Sequence, residues 1–148
     1  MAEHFKALSA VFPVIFRDHD GKRQVLLHRR QNTGYQDGRL DISASGHVDE
    51  GETATAAAAR ECKEELGIDV DAGDLEFVHL SHRLDTDRTY YDMYFIVKAY
   101  RGIPRIMEAD KCSQLDWFDL AGLPDDVISV RKRDLANIER GIYYSEKL

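Results

Sequence analysis

Gly46-His47-Val48-Asp49-Glu50-Gly51-Glu52 runs directly into Thr53-Ala54-Thr55-Ala56-Ala57-Ala58-Ala59-Arg60-Glu61-Cys62-Lys63-Glu64-Glu65-Leu66-Gly67-Ile68. Residues 53–66 are the clearest helix of the chain. Five alanines are followed by Glu, Lys and Leu, all strong helix formers, and Gly67 stands where a left-handed C-terminal residue belongs. Glu61, Glu64 and Glu65 are spaced i, i+3 and i+4, so their carboxylates share one helix face. Like charges at that spacing oppose the helix by roughly 0.2–0.5 kcal/mol per pair. The opposite side, Thr55, Ala59, Cys62 and Leu66, is a small apolar stripe suited to packing on a sheet. Such an acidic face is either simply solvated or a divalent-cation site, because hard oxygen ligands on a rigid element suit Mg²⁺ or Mn²⁺. The glycine-bracketed loop ahead of the helix favours the cation: it lands on the helix N-terminus and carries a further acid, Glu52.

Upstream, residues 7–18 are apolar and rich in Val, Ile and Phe, and read as one largely buried strand. The turn Asp18-His19-Asp20-Gly21 joins it to a second strand at residues 24–30, forming a hairpin. Residues 31–39 are a loop with two glycines, and Leu40-Asp41-Ile42 is a short strand before a Ser/Gly turn. Downstream, residues 75–84 and 89–100 read as long strands and 113–118 as a further one. Residues 127–140 carry apolar side chains at Val127, Val130, Leu135 and Ile138, with Gly141 behind them, and form a second helix. Strands on both sides of a mid-chain helix predict an α/β layered fold with a mixed sheet.

The chain has 148 residues, a length that predicts one domain over residues 1–148. At 43% apolar and 32% charged it has the material for a packed core. Net charge is −7, and the longest basic run is Arg131-Lys132-Arg133, so a footprint for duplex nucleic acid is missing. No stretch reaches the ~18 apolar residues of a membrane span. Met1-Ala2-Glu3-His4-Phe5-Lys6 carries an acid and runs into a strand, unlike a signal peptide. Two cysteines, Cys62 and Cys112, are too few for a disulfide scaffold or a four-thiolate zinc site, and His28, His47, His79 and His82 lack a zinc spacing. Neither a P-loop, a Gly-x-Ser-x-Gly elbow nor a His-Glu-x-x-His motif is present. The expectation is a soluble, cytoplasmic protein without membrane or nucleic-acid partners.

Gly46, five residues, Glu52, seven residues, Arg60-Glu61, an aliphatic-type position, one residue, Glu64-Glu65, one residue, Gly67-Ile68: this spacing resembles the Nudix box. The departure is Cys62, where a branched aliphatic is commoner; cysteine is itself a small buried hydrophobe. The flanks resemble the family too, with His28-Arg29-Arg30 after the hairpin, and Leu115-Asp116-Trp117-Phe118 followed by Leu120 and Leu123-Pro124. The resemblance covers nearly the whole chain. It implies an α/β/α sandwich with a mixed sheet between helices. It also implies a Mg²⁺-dependent (or Mn²⁺-dependent) pyrophosphohydrolase acting on a nucleoside diphosphate linked to another group. A MutT-like nucleoside or deoxynucleoside triphosphatase is the first expectation, as a monomer or homodimer.

By that resemblance Glu64 and Glu65 are the principal metal ligands, joined by the backbone carbonyl of Ser45. Glu61 is a further ligand or the water-orienting base, and Arg60 fixes the acids of the box, with Glu52 its partner. Glu108 or Asp110 supplies a late acid, Glu108 having the better distance from Trp117. Arg30 resembles a phosphate-contacting arginine, with Arg29 pointing to the opposite face; Gly46 and Glu52 are grouped with Arg30 on the substrate side. Tyr35, Tyr90, Tyr91, Tyr94 and Trp117 are candidates to stack on a base. Asp92 either reads a base edge or ribose, or pairs with Arg83 across a sheet. The alternative substrates are ADP-ribose, a nucleotide sugar or a dinucleotide. Isopentenyl-diphosphate isomerase shares the scaffold but needs an active-site cysteine, and the cysteine in the relevant region is Cys62, expected in the core.

Overall fold

The computed structural model describes residues 3–148; Met1 and Ala2, part of the leading segment read against a signal peptide, lie outside them. The helix following the acidic loop, α1, spans Ala54–Leu66. Thr53 caps it, its Oγ1 accepting from the Ala56 amide at 3.2 Å. Gly67 ends it at φ 68°, donating its amide to the Lys63 carbonyl. The packing stripe is turned from the one expected: Ala57, Ala58, Cys62 and Leu66 are the buried residues, and Thr55 and Ala59 are only partly covered. That roll draws Glu61 and Glu65 in towards the preceding loop and leaves Glu64 outside.

The strands are β1 (Leu8–Val14), β2 (Phe16–His19), β3 (Lys22–Arg30), β4 (Leu40–Ile42), β5 (Gly46–His47), β6 (Leu75–Leu84), β7 (Thr89–Val97), β8 (Cys112–Asp119) and β9 (Tyr144–Lys147). They form a mixed sheet in the order β5-β1-β7-β6-β9, and a second, antiparallel sheet in which β3 pairs with β2, β4 and β8. The single strand expected over residues 7–18 is two, because the chain leaves one sheet and enters the other at Ile15. The β2–β3 turn has φ 52° at Asp20 and 75° at Gly21, the two-residue hairpin that an Asp-Gly pair favours. Helix α2 covers Ser129–Glu139, starting later than the apolar pattern suggested. Val127 instead bridges Leu40, whose carbonyl accepts the Ile128 amide at 2.9 Å. Strand β7 ends at Val97, short of Tyr100, and β9, pairing parallel with β6, was not foreseen.

Both faces of β1 are covered from Ala10 to Val14, which is why that stretch is apolar rather than alternating. Val11, Ile15 and Leu26 pack with Ala57, Ala58, Cys62 and Leu66 of α1. Their neighbours Ala10, Phe12, Val14, Val25 and Leu27 face the other way, onto Val127 and Leu135 at α2. The result is a sandwich with α1 and α2 on opposite sides. Among the described residues no helix is long and apolar enough to cross a membrane.

Candidate active site

A cavity of about 560 Å³ opens between the two sheets, within the size range of small-molecule sites. Asp41 of β4 and, from the bend that follows it, Ser43 and Ser45 line the cavity, as does His28, which pairs with Asp41 from β3. Gly46, Glu65, Glu108, Arg30, Tyr35 and Tyr90 line it as well.

The acids of α1 and its leading loop are organised by Arg60. Its guanidinium donates to Glu52 at 2.8 and 3.0 Å, to Glu61 at 2.7 Å, to Glu64 at 3.4 Å and to the His47 carbonyl at 3.1 Å, and lies 3.5 Å from Asp49. The hydrogen bonds from Arg60 hold the Glu52 carboxyl down at about 2. Glu61 rests directly on Gly46: a Cβ there would fall 2.2 Å from Glu61 Oε1, so any side chain at 46 would displace the carboxylate. Glu65 Oε2 accepts the Ser45 amide at 2.8 Å. Burial pushes the Glu65 carboxyl up to about 8, against that hydrogen bond, and the neighbouring charges of Glu61, Glu108 and Asp41 add to the rise. Burial raises Glu61 as well, against the pull of Arg60.

Arg30, Arg83 and Arg131 of the lining are held by buried ion pairs. Arg30 donates to Asp41 at 3.2 Å, to the Tyr35 carbonyl at 2.7 Å and to Thr33 Oγ1 at 3.0 Å. Arg131, fully enclosed, donates to Asp41 at 3.1 Å, Asp92 at 3.2 Å and Tyr94 Oη at 2.8 Å, with its guanidinium 3.8 Å from the Phe12 ring centre. Arg83 reaches Asp92 at 2.8 Å and is also bonded to Asp85. His28 Nδ1 and Ser43 Oγ, on two residues of the lining, are buried and without a hydrogen-bond partner among the described residues. Burial holds the His28 imidazole below its ordinary value.

The model of the NUDIX domain matches residues 7–137. The chain belongs to the Nudix family. Members of this family generally use divalent metal ions. This Nudix chain is 39% identical over 108 residues to a dihydroneopterin triphosphate diphosphatase of Escherichia coli; the match covers 73% of this chain and 62% of that relative's length. A MutT NUDIX hydrolase from Burkholderia pseudomallei superposes with a TM-score of 0.78 at 25% identity, covering 89% of this chain and 98% of that one. The NUDIX domain of Shewanella oneidensis NrtR, complexed with ADP ribose, shares the fold at a TM-score of 0.73 and 20% identity, covering 93% and 88%.

The Nudix fold brings Ser45, Gly46, Glu65, Glu108 and Arg30 to one cavity, while Arg60, Glu52, Glu61 and Glu64 stand beside it. Glu52, grouped with the substrate side, accepts from Arg60, its expected partner, and from the Asp49 amide. Asp110 stays outside the lining, and Glu108 is the late acid that reaches it. Arg29 points away, to Gln114 and Asp126. Of the aromatic candidates Tyr35 and Tyr90 line the cavity; Tyr91 stacks on His82, Tyr94 is buried against Asp134, and Trp117 lies under Arg17. Asp92 takes the structural alternative and pairs with Arg83. Among the described residues no three His, Cys, Asp or Glu side chains already converge on one metal position. Glu61 and Glu64 turn to Arg60, and Glu65 to Ser45. The sequence reading missed Arg131, which looks solvated inside a basic triplet, and the unpartnered His28 and Ser43, whose hydrogen bonding depends wholly on tertiary packing.

Proposed function

We propose that this Nudix chain is a Mg²⁺-dependent pyrophosphohydrolase that cleaves an organic triphosphate, first of all a nucleoside or deoxynucleoside triphosphate, to a monophosphate and pyrophosphate. The observation that carries this reading is the acidic face of α1, where Glu65 is buried against Ser45 and among other carboxylates, and Glu61 rests on a glycine. A carboxylate kept in such surroundings is a hard-oxygen donor suited to a divalent cation. Glu61, Glu64, Glu65, Glu108 and the Ser45 carbonyl are the groups that would hold it, all oxygen donors fitting Mg²⁺ or Mn²⁺. A bound divalent cation supplies charge neutralisation at the phosphate oxygens and a more acidic water.

The chain's own residues do the rest. Arg60 holds Glu61 and Glu64 in place and keeps Glu52 ionised; Glu61 is the group set to take a proton from the attacking water. Arg30, braced by Asp41 and Thr33, presents its guanidinium to substrate phosphate. Tyr35 and Tyr90 flank the space for the organic head. The partner is a small nucleotide-like molecule met in the cytoplasm, by a monomer or homodimer, without nucleic acid or membrane.

The dihydroneopterin triphosphate diphosphatase relative favours a second reading, in which the head is a pterin and the bond cleaved is the same. Cleavage of ADP-ribose, a nucleotide sugar or a dinucleotide is the remaining hydrolytic alternative. An isomerase is disfavoured by Cys62: it packs in the core and burial pushes its thiol up to about 12. The test is a product assay over nucleoside triphosphates, dihydroneopterin triphosphate, ADP-ribose and sugar nucleotides, with Mg²⁺, with chelator, and with Glu64→Gln. Pyrophosphate plus a monophosphate, lost in chelator and in the variant, is the expected result. Two monophosphates from ADP-ribose or a sugar nucleotide, with triphosphates untouched, would overturn it.

A further inference from the structure

Glu108 joins Glu65 in the cavity lining, but it comes from the loop between β7 and β8 instead of from a helix or strand. Its side chain is 40% exposed, and its ion pair among the described residues is a loose one, 3.9 Å from the Lys111 ammonium. An acid placed this way can serve at a fixed point only if its backbone is held by something else.

The loop is tied on both sides of Glu108. Ahead of it, Arg105 and Met107 donate their amides to the Leu66 and Glu65 carbonyls at 3.0 and 3.4 Å, docking the segment on the last turn of α1. Behind it, three consecutive carbonyls are taken by the two residues that follow β3. The Gln31 amide donates to the Lys111 carbonyl at 3.0 Å, one bond beyond the pairing of Arg30 with Cys112. The side-chain amide of Gln31 donates to the Ala109 carbonyl and that of Asn32 to the Asp110 carbonyl, each at 2.9 Å. The Lys111 amide closes the turn on the Glu108 carbonyl itself at 3.0 Å.

The residue types suit this task. A carbonyl needs a donor, and a carboxamide supplies one without adding a further cation beside Glu108. Asn32 also lies at φ 54°, the left-handed region that asparagine enters more readily than most residues with a side chain. Resting on the metal assignment proposed above, we infer that Gln31 and Asn32 are positioning residues that hold the Glu108 carboxylate at the divalent cation. They act through the carbonyls of residues 109–111. Asn32 lines the cavity as well, and measuring the metal alone separates this role from any contact with substrate.

Mn²⁺ binding to the substrate-free protein, read from the free-ion electron paramagnetic resonance signal, tests this without turnover. Wild type is compared with Glu108→Gln, with the pair Gln31→Ala and Asn32→Gly, and with all three changes together. Glycine at position 32 accepts the left-handed backbone while removing the amide. Glu108→Gln should weaken Mn²⁺ binding, and the pair should weaken it about tenfold, the lower end of what outer partners of metal ligands supply. Adding the pair to Glu108→Gln should change nothing further, because the group it positions is gone. The urea midpoint of the pair should stay near wild type, since both side-chain bonds lie at the surface. Gln31→Ala alone keeps the backbone bond to Lys111 and should weaken Mn²⁺ by itself, again only while Glu108 is present. An unchanged Mn²⁺ affinity in these variants, or an equal loss with and without Glu108, would overturn the inference. Glu108→Gln binding Mn²⁺ as wild type does, or a wild type that binds none, counts against the metal assignment and takes the inference with it.

Discussion

Gly46 matters for what it leaves room for. With Glu61 Oε1 lying 2.2 Å from where a Cβ would be, Gly46→Ala must push the carboxylate aside. The displaced atom ends a side chain that can swing, so the fold should tolerate the change while the site does not. The unfolding midpoint should stay close to wild type and kcat should fall about 100-fold, the order expected for misplacing a reacting group by an ångström. Glu65 offers a test by pH. Its carboxyl lies at about 8 in the fold against 4.5 for an ordinary glutamate. Between those values the folded protein holds the proton more tightly than the unfolded chain, so this contribution to stability is complete below about pH 4.5 and is lost as pH rises to about 8. Glu52, held at about 2, acts in the opposite sense but only below pH 4.5. In chelator, the thermal midpoint of wild type relative to Glu65→Gln should therefore drop from pH 5 to pH 8. Adding Mg²⁺ should raise the wild-type midpoint more at pH 8 than at pH 6, because metal and proton compete for the same oxygens.

At the scale of elements, α1 depends on its ends. Thr53 closes the first turn through one hydrogen bond to the Ala56 amide. Thr53→Ala should cost about 1 kcal/mol in urea unfolding, with little change in slope. The helix was readable from sequence because everything that makes it is local: alanine content, a capping threonine and a glycine at the left-handed end. The glutamate spacing was readable for the same reason, whereas the pairing of Arg60 with Glu52 came from the resemblance to the Nudix box. Strand β9 was not. Tyr144-Ser145-Glu146-Lys147 has neither apolar alternation nor branched residues, and is a strand because β6, more than 60 residues earlier, pairs with it. The break between β1 and β2 was hidden by a continuous apolar run, since both sides of the crossing are buried.

For the whole molecule, Arg131 ties α2 to both sheets through Asp41 on β4 and Asp92 on β7. Arg131→Ala would leave those carboxylates underpaired in a buried site and open a cavity beside Phe12. A loss of about 3–5 kcal/mol is expected, read as a large fall in the urea midpoint. A crossing chain has a further consequence at this scale. Strand β1 belongs to one sheet and β2 to the other, joined through Ile15, and β1 lies beside β7 in parallel, about 80 residues away in the chain. Neither sheet is complete until both segments have docked, so the late-synthesised half must be present before the first strand can settle. The amides of β1 and of β3 should then exchange with deuterium only when the entire chain opens, at one shared rate, and refolding should be a slow single event set by that long-range pairing.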